Sequence, residues 1–220
     1  MAQEQLPIYR IEDFKSGKQH AKFFYLSALS DHLREHKFVQ KPHKHSFFIV
    51  MFVTNGTGTH TIDFEEYPVN PGAVFFLAPG QVHSWKLSED ADGFILFFTQ
   101  EYYLAQKQLY SFPFFNTHAG NVPLMLPEAM QRQLTQVVLH MQQEYLQQLQ
   151  FKDDILRDYL DILLVRLQRL YIAARTEVAS AAPVLPALLQ LQRLIDKHYK
   201  EHQPVSFYAD KLNTTSRHLN

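Results

Sequence analysis

The 220-residue chain has no cysteine. That excludes a disulfide framework and every thiolate metal site, so a metal would have to rest on histidine or carboxylate. Net charge is almost absent as well: 21 Lys and Arg stand against 22 Asp and Glu, a formal -1. An extended electrostatic grip on nucleic acid by the whole chain is not expected, although a small basic module at one end is compatible with this balance. No apolar run reaches the roughly 20 residues that cross a bilayer, and Met1–Arg10 is polar with no signal-peptide core. A cytoplasmic protein with no membrane partner is the expectation. What is present is an ordinary globular composition, 46% hydrophobic and 20% charged. The length suits one large or two small domains with a real core.

The chain changes character near residue 126. Before it, Phe23, Phe24, Tyr25 and Leu26 within Lys22–Ser30 suit a strand. Within His45–Thr54, Phe47 to Val53 is a nearly continuous apolar run of strand length, which predicts burial on both faces. Turn signals at Asn55-Gly56 with Gly58, at Pro71-Gly72, Pro79-Gly80 and Asp92-Gly93 separate further strands. These are Thr59–Phe64, with His60, Ile62 and Phe64 on one face, then Ala73–Ala78, Val82–Leu87 and Phe94–Thr99. Short strands punctuated in this way predict a sandwich or a barrel.

After residue 126 the period becomes helical. Pro127 stands at a helix start, and Leu134, Val137, Val138, Met141, Tyr145 and Leu149 follow at 3.6-residue spacing. Asp153 or Asp154 can cap a second helix, whose apolar face carries Leu156, Tyr159, Leu160, Leu163, Leu164, Leu167 and Leu170. Ile155, Ile162 and Val165 widen that face, which predicts two partners: the β part and a second subunit. Thr176–Pro186 reads as a linker of small residues and prolines. Beyond it, Leu188, Leu191, Leu194, Ile195 and Tyr199 recur at helical spacing. Ser206 is an N-cap candidate for a short helix over Phe207–Leu212. Asn213 suits a left-handed residue, and Thr215 can cap a helix that begins Ser216-Arg217-His218-Leu219. Helix, short helix, tight turn and capped helix make the helix-turn-helix pattern.

The chemistry-bearing residues of the β part are histidines. His43 and His45 form H-x-H at a strand entrance, so both side chains point the same way. His83 follows a Pro-Gly turn in P-G-Q-V-H, and Trp85 shares its strand face. Hydrogen bonding inside a barrel mouth, a hold on a polar organic ligand and a metal site are all compatible with this set. Plain core packing is an equal reading of Trp85. The mouth has His, Trp and Thr but no clamp of arginines, which disfavours a strongly anionic ligand.

These two motifs, H-x-H and the P-G-A-V-F-F-L-A-P-G-Q-V-H-S-W stretch, resemble the cupins, small β-barrels, over about residues 40–100. The resemblance implies metal ligation by two or three histidines and a glutamate. The place of that glutamate is held here by Ile49 or Val50, so no cofactor is expected and no metal is assigned to His43, His45 and His83. The C-terminal residues I-D-K-H-Y-K-E-H-Q-P-V-S-F-Y-A-D-K-L-N-T-T-S-R-H-L-N resemble the AraC family of bacterial transcription regulators. Tyr208 replaces the usual Leu and Asn213 the usual Gly.

The fold class expected is α+β: an N-terminal cupin-type β-barrel, an antiparallel helical pair, then the start of an all-α helix-turn-helix domain. The corresponding parts are a sensor with an N-terminal arm over 1–126, a dimerising helical pair over 127–175, a linker over 176–186 and an incomplete DNA-binding domain over 187–220. The resemblance implies a cytoplasmic regulator and no enzyme. A small-molecule effector enters the barrel, the helical pair forms a homodimer, and the full-length protein binds promoter DNA. It further implies that an arm from about Ile8 to Phe14 folds over the mouth when ligand is present. The effector-binding candidates are His43, His45, His83, Trp85, Tyr9 and Phe14. Leu156, Leu160, Leu163 and Leu167 are the dimerisation candidates; Lys211, Thr215, Ser216, Arg217 and His218 are those for DNA. Asn220 falls a few residues into the recognition helix, so this chain by itself is not expected to bind DNA specifically. The alternatives are a metal-dependent cupin dioxygenase or isomerase using His43, His45 and His83, and a binding-only cupin whose C-terminal helices are structural.

Overall fold

A computed structural model describes residues 6–14, 22–36, 41–103, 109–115, 122–147, 149–179, 191, 194, 195, 198, 201 and 203–219. In chain order the strands are β1 (Ile8–Tyr9), β2 (Phe24–Ala28), β3 (Lys44–His45), β4 (Phe48–Asn55), β5 (Gly58–Ile62), β6 (Glu65–Val69), β7 (Ala73–Leu77), β8 (His83–Leu87), β9 (Asp92–Phe98) and β10 (Leu124–Met125). The helices are α1 (Leu29–Glu35), α2 (Gln100–Tyr103), α3 (Glu128–Leu146), α4 (Lys152–Ala179), α5 (Val205–Lys211) and α6 (Ser216–Leu219). The chain divides into two compact units, Met1–Tyr171 and Ile172–Asn220.

The first unit is a mixed α+β structure of stacked layers. Its middle layer is a five-stranded sheet in the order β10-β7-β4-β9-β2. A three-stranded sheet, β6-β5-β8, and a two-stranded pair, β1-β3, complete the β part. The apolar run behaves as its composition requires. Phe48, Val50 and Phe52 of β4 join a core shared with α3 and α4. Ile49, Met51 and Val53 join a second core shared with Ile62 of β5, Val69 of β6 and Trp85 of β8. The period of two along a strand sends alternate residues to opposite faces, and both faces are covered. Such a strand needs no polar face and reads as unbroken apolar sequence.

Several boundaries differ from the expectation. The first strand is shorter than Lys22–Ser30, because α1 begins at Leu29. Among the described residues, α1 is an element the sequence reading missed. It has only 7 residues, and its N-cap, Ala28, offers no side-chain oxygen. The run from His45 is broken at Ser46–Phe47, so β3 and β4 are separate strands. The alternation of His60 and Ile62 ends before Phe64. Asp63 and Phe64 form a turn at φ 48° and 74°, which leaves Phe64 88% exposed. β6 then pairs back along β5, a hairpin the sequence reading did not contain.

In the helical layer, α3 ends at Leu146 and leaves Leu149 exposed. α4 starts one residue ahead of Asp153, so Asp153 and Asp154 lie in its first turn, where carboxylates complement the helix dipole. Leu156, Leu160, Leu163 and Leu167 are all buried, none more than 2% exposed, in the core against the five-stranded sheet. Tyr103 donates its hydroxyl to Asp161, and Arg157 donates to the Tyr102 carbonyl at 2.9 Å, which ties α4 to the β part.

In the second unit, α5 begins at Val205 with Pro204 as its N-cap, so Ser206 lies inside the helix rather than capping it. It closes in a Schellman motif. Asn213 stands at φ 51° and donates its N–H to the Asp210 carbonyl at 3.2 Å, and Thr214 donates to the Ala209 carbonyl at 3.0 Å. The left-handed Asn213 was readable from the sequence. The helix expected from Ala187 and the linker beyond Ala179 lie mostly outside the described residues. Residues 176–179 belong to α4.

Candidate functional site

The site is assembled by two short strands and a turn. β3 pairs in parallel with β1, placing Tyr9 beside His45. His43, just ahead of β3, forms an isolated antiparallel bridge with His83, the first residue of β8. The Pro79-Gly80 turn is pinned to β3, because the Gly80 N–H donates to the His45 carbonyl at 2.9 Å. Asp63 holds the start of β8 from the other side. Its carboxylate accepts from the Gln81 amide at 2.6 Å and the Val82 N–H at 3.0 Å. β8 pairs with β5, setting His60 opposite Trp85.

The result is a tight group of imidazoles. His43, His45, His60 and His83 are each at most 3% exposed. The ring centroids of His43 lie 4.6 Å from His45 and 4.4 Å from His83, and His45 lies 4.7 Å from His83. One ring nitrogen from each of these three lies within 4.8 Å of the others. His60 stands behind His83, its Nε2 2.9 Å from His83 Nδ1. Trp85 packs edge-on against His83 at 5.1 Å and His60 at 5.5 Å. Among the described residues its indole N–H has no partner.

The rings are neutral at physiological pH. Burial pushes His45 and His83 well below the ordinary value, and their histidine neighbours push them further. Burial likewise lowers His43, against the small opposing effect of the Lys41 carbonyl, and takes His60 down to about 3. Neutral imidazole carries one N–H and one lone pair. A carbonyl only accepts, so the 2.6 Å contact between His43 Nδ1 and the Lys41 oxygen makes Nδ1 the donor. Its Nε2 is then a bare lone pair, buried and without a hydrogen-bond partner among the described residues.

The N-terminal segment lies directly on this group. A short turn over Ile11–Asp13, closed by the Arg10 N–H donating to the Asp13 carboxylate at 2.8 Å, buries Ile11 and Phe14. Tyr9 meets His43 at 5.3 Å, and Phe14 meets His45 at 5.9 Å. Phe14 also stacks on His32 of α1 at 5.4 Å. Sequence reasoning missed His32, His36 and His60. His60 had a signal in its alternation with Ile62. His32 lies on the unrecognised α1 and His36 is its C-cap, so theirs was lost with the helix.

The structure thus brings together His43, His45, His83, Trp85, Tyr9 and Phe14. It does not place Leu156, Leu160, Leu163 and Leu167 where a second subunit can reach them, since they are spent on this chain's own sheet. Among the described residues of α4, the large exposed apolar side chains are Ile155, Ile162 and Ile172. Lys211, Thr215 and Arg217 are exposed, Ser216 is half-buried, and the His218 backbone belongs to α6.

The AraC-like ligand binding domain matches residues 23–165, more than half of the chain. The chain belongs to this family. The matched span of this AraC-like domain covers the five-stranded sheet from β2 onward, the imidazole group, α3 and much of α4. Two solved structures are similar to it. One is the AraC-like transcriptional activator CuxR, at 13% identity over 78% of this chain and 58% of that one, with a TM-score of 0.39. The other is an apo ToxT variant from Vibrio cholerae, at 11% identity over 89% of this chain and 72% of that one, with a TM-score of 0.40. The chain therefore spans just over half the length of CuxR. No curated protein matches it by sequence.

Of the two positions that replace the cupin glutamate, Ile49 joins the core that holds Trp85, and Val50 points to the helical layer. Among the described residues, the metal-ligating group is therefore three histidine nitrogens with no carboxylate. Three convergent neutral imidazoles, one with an orphaned lone pair, fit a cation that accepts nitrogen ligands.

Proposed function

We propose that this chain is the sensing part of an AraC-type transcription regulator. A small molecule is recognised at the imidazole group, between two facing sheets that we read as a cupin-type barrel. The observation that carries this reading is that buried ring nitrogens of His43, His45, His60 and Trp85 have no hydrogen-bond partner among the described residues, inside an AraC-like ligand-binding domain. Buried polar atoms cost free energy unless they find a partner, and a bound polar ligand supplies one. Tyr9 and Phe14 then act as the inner side of a lid. A ligand that contacts His43 and His45 competes for, or adds to, the surface on which the arm rests.

The remaining parts follow from the same reading. The protein is a cytoplasmic homodimer, joined through the exposed side of α4 at Ile155 and Ile162 rather than through the four buried leucines. α5, the Schellman turn and α6 open a helix-turn-helix. Lys211, Thr215, Ser216, Arg217 and His218 then approach promoter DNA. Occupancy of the pocket alters this approach through the arm and the helical pair. The enzymatic alternative needs turnover at the histidines, whereas a sensor needs only binding.

A reporter placed under the regulator's own promoter tests the reading. The wild-type full-length regulator should change reporter output when the effector is supplied. His45→Asn and Trp85→Leu should abolish the response while promoter occupancy in cell extracts persists. A response that survives both substitutions contradicts the reading.

A further inference from the structure

His45, His83 and His60 stand in a row joined by two hydrogen bonds. His45 Nε2 lies 2.6 Å from His83 Nε2, and His83 Nδ1 lies 2.9 Å from His60 Nε2. The row ends on His45 Nδ1 and His60 Nδ1, both buried and without a partner among the described residues. Each neutral ring carries one proton, and each hydrogen bond needs one proton and one lone pair. Only two arrangements of the three protons satisfy both bonds. In the first, His45 is protonated on Nδ1, and His83 and His60 on Nε2. In the second, His45 is protonated on Nε2, and His83 and His60 on Nδ1. The charge is the same in both, and the two ends are always opposite. Where His45 Nδ1 donates, His60 Nδ1 is a bare lone pair, and the reverse.

The surroundings distinguish the two. The Trp85 ring lies 5.5 Å from His60, and its indole N–H, also buried without a partner among the described residues, can only donate. It favours the bare lone pair on His60 Nδ1, which is the first arrangement. The second would set two N–H groups in one enclosure whose other wall is Phe75, 4.8 Å from His60. The first arrangement gives the H-x-H pair unlike faces. His43 Nε2 is a bare lone pair, because Nδ1 donates to the Lys41 carbonyl, while His45 Nδ1, on a ring 4.6 Å away, is a donor.

We propose that His60, acting through His83, is the positioning residue that fixes the tautomer of His45, and that the pair so set selects a neutral ligand with a hydrogen-bond donor beside an acceptor, a carboxamide being the simplest. Its donor meets His43 and its acceptor meets His45. A carboxylate has no proton for His43, and an ammonium ion has no lone pair for His45. A site built around both bonds rejects a molecule that lacks either, because a buried nitrogen is then left unpaired. The ligand class rests on the reading of this pocket as a sensing site; the order of the protons does not.

The test is nitrogen NMR of the chelator-treated chain, isotope-labelled in histidine, at neutral pH. Protonated and bare ring nitrogens resonate far apart, and a coupling across N–H···N reports each hydrogen bond directly. Wild type should show His45 protonated on Nδ1 and His83 and His60 on Nε2, with couplings from His83 to both neighbours. His60→Leu should lose one coupling and leave His45 in a mixture of both tautomers. His60→Gln, whose amide donates to His83 Nδ1 while its oxygen turns to Trp85, should restore the single form. A residue that only fills space would not be rescued in this way. Acetamide at high concentration should shift the His43 and His45 nitrogens of wild type; acetate and methylammonium should not. Circular dichroism selects the variants that fold, and if neither does, wild type decides alone. Wild type in the second arrangement, or with His45 already in a mixture, would overturn the proposal. The expected tautomers with no response to acetamide, or with an equal response to acetate, overturn the ligand class. A chain that passes both tests while its reporter ignores His45→Asn keeps the selective pair and loses the sensing reading.

Discussion

The backbone amides of His43 and His83 each donate to the other's carbonyl oxygen, at 3.0 and 2.9 Å. This single bridge, and not a long ladder, sets H-x-H opposite the strand that follows Pro79-Gly80. Its supports are Gly80, at φ 88°, and the Asp63 carboxylate. A Cβ at Gly80 would meet nothing within 4 Å, so Gly80→Ala faces only the left-handed backbone. It should cost about 1 kcal/mol. At Gly93 of β9, φ is 147° and a Cβ would sit 2.0 Å from the Phe52 carbonyl oxygen of β4. Gly93→Ala should cost about 3 kcal/mol or more, because two central strands must part. Urea unfolding of the two variants checks the ordering.

The four leucines of α4 and its exposed isoleucines should separate cleanly. Leu160 is 0% exposed against the sheet, so Leu160→Ala should cost about 2–5 kcal/mol. Ile162 is 44% exposed, so Ile162→Asp should leave the unfolding of the isolated subunit within about 0.5 kcal/mol. In the proposed homodimer the same substitution should leave monomer in light scattering. A dimer that withstands Ile162→Asp together with Ile155→Asp places the interface elsewhere.

Acid should destabilise the fold, and His32 gives a measurable share. Burial first, then His36 and His43, hold it down to about 3 from 6.5. A depressed native value means that unfolding takes up a proton, so the stability is complete above pH 6.5 and is lost as pH falls towards 3. At pH 5 the loss from His32 alone is about 2 kcal/mol. His32→Gln, which keeps a polar group near the Tyr25 hydroxyl that His32 Nδ1 meets at 3.0 Å, should flatten the pH dependence by about that amount. Equal slopes for wild type and variant between pH 7 and 5 would contradict the assignment.

Phe14 anchors the arm, with Phe97 at 4.9 Å and His36 at 5.2 Å. Phe14→Ala should raise the rate of proteolytic cleavage near Arg10 about ten-fold or more and leave the helical layer protected. Tyr9→Ala, which removes a half-buried ring from β1, should have a smaller effect in the same direction.

Much of the architecture was legible because it rests on local rules. The unbroken run over Phe47 to Val53 implied a strand covered on both faces, and the 3.6 period after Pro127 implied the two long helices. Asn213 announced a left-handed helix end. What escaped depends on partners distant in sequence. Phe64 continued the alternation of His60 and Ile62 on paper, but the hairpin turns at Asp63, and the ring is left in water. The leucines of α4 have the same spacing whichever neighbour they face. Only the sheet, more than 50 residues away for Val50 or Leu96, decides that they turn inward. H-x-H and His83 were readable as a set, yet His60 became part of it only through the pairing of β5 with β8.

The central claim is that this AraC-like domain recognises a small molecule at the imidazole group. Native mass spectrometry and thermal unfolding of the purified chain, wild type and His45→Asn side by side across a panel of small polar metabolites, test it most directly. The account predicts at least one compound that adds its mass to wild type, raises its unfolding temperature by several degrees and does neither to the variant. A compound that binds both chains equally would place the ligand elsewhere in the fold and contradict the account.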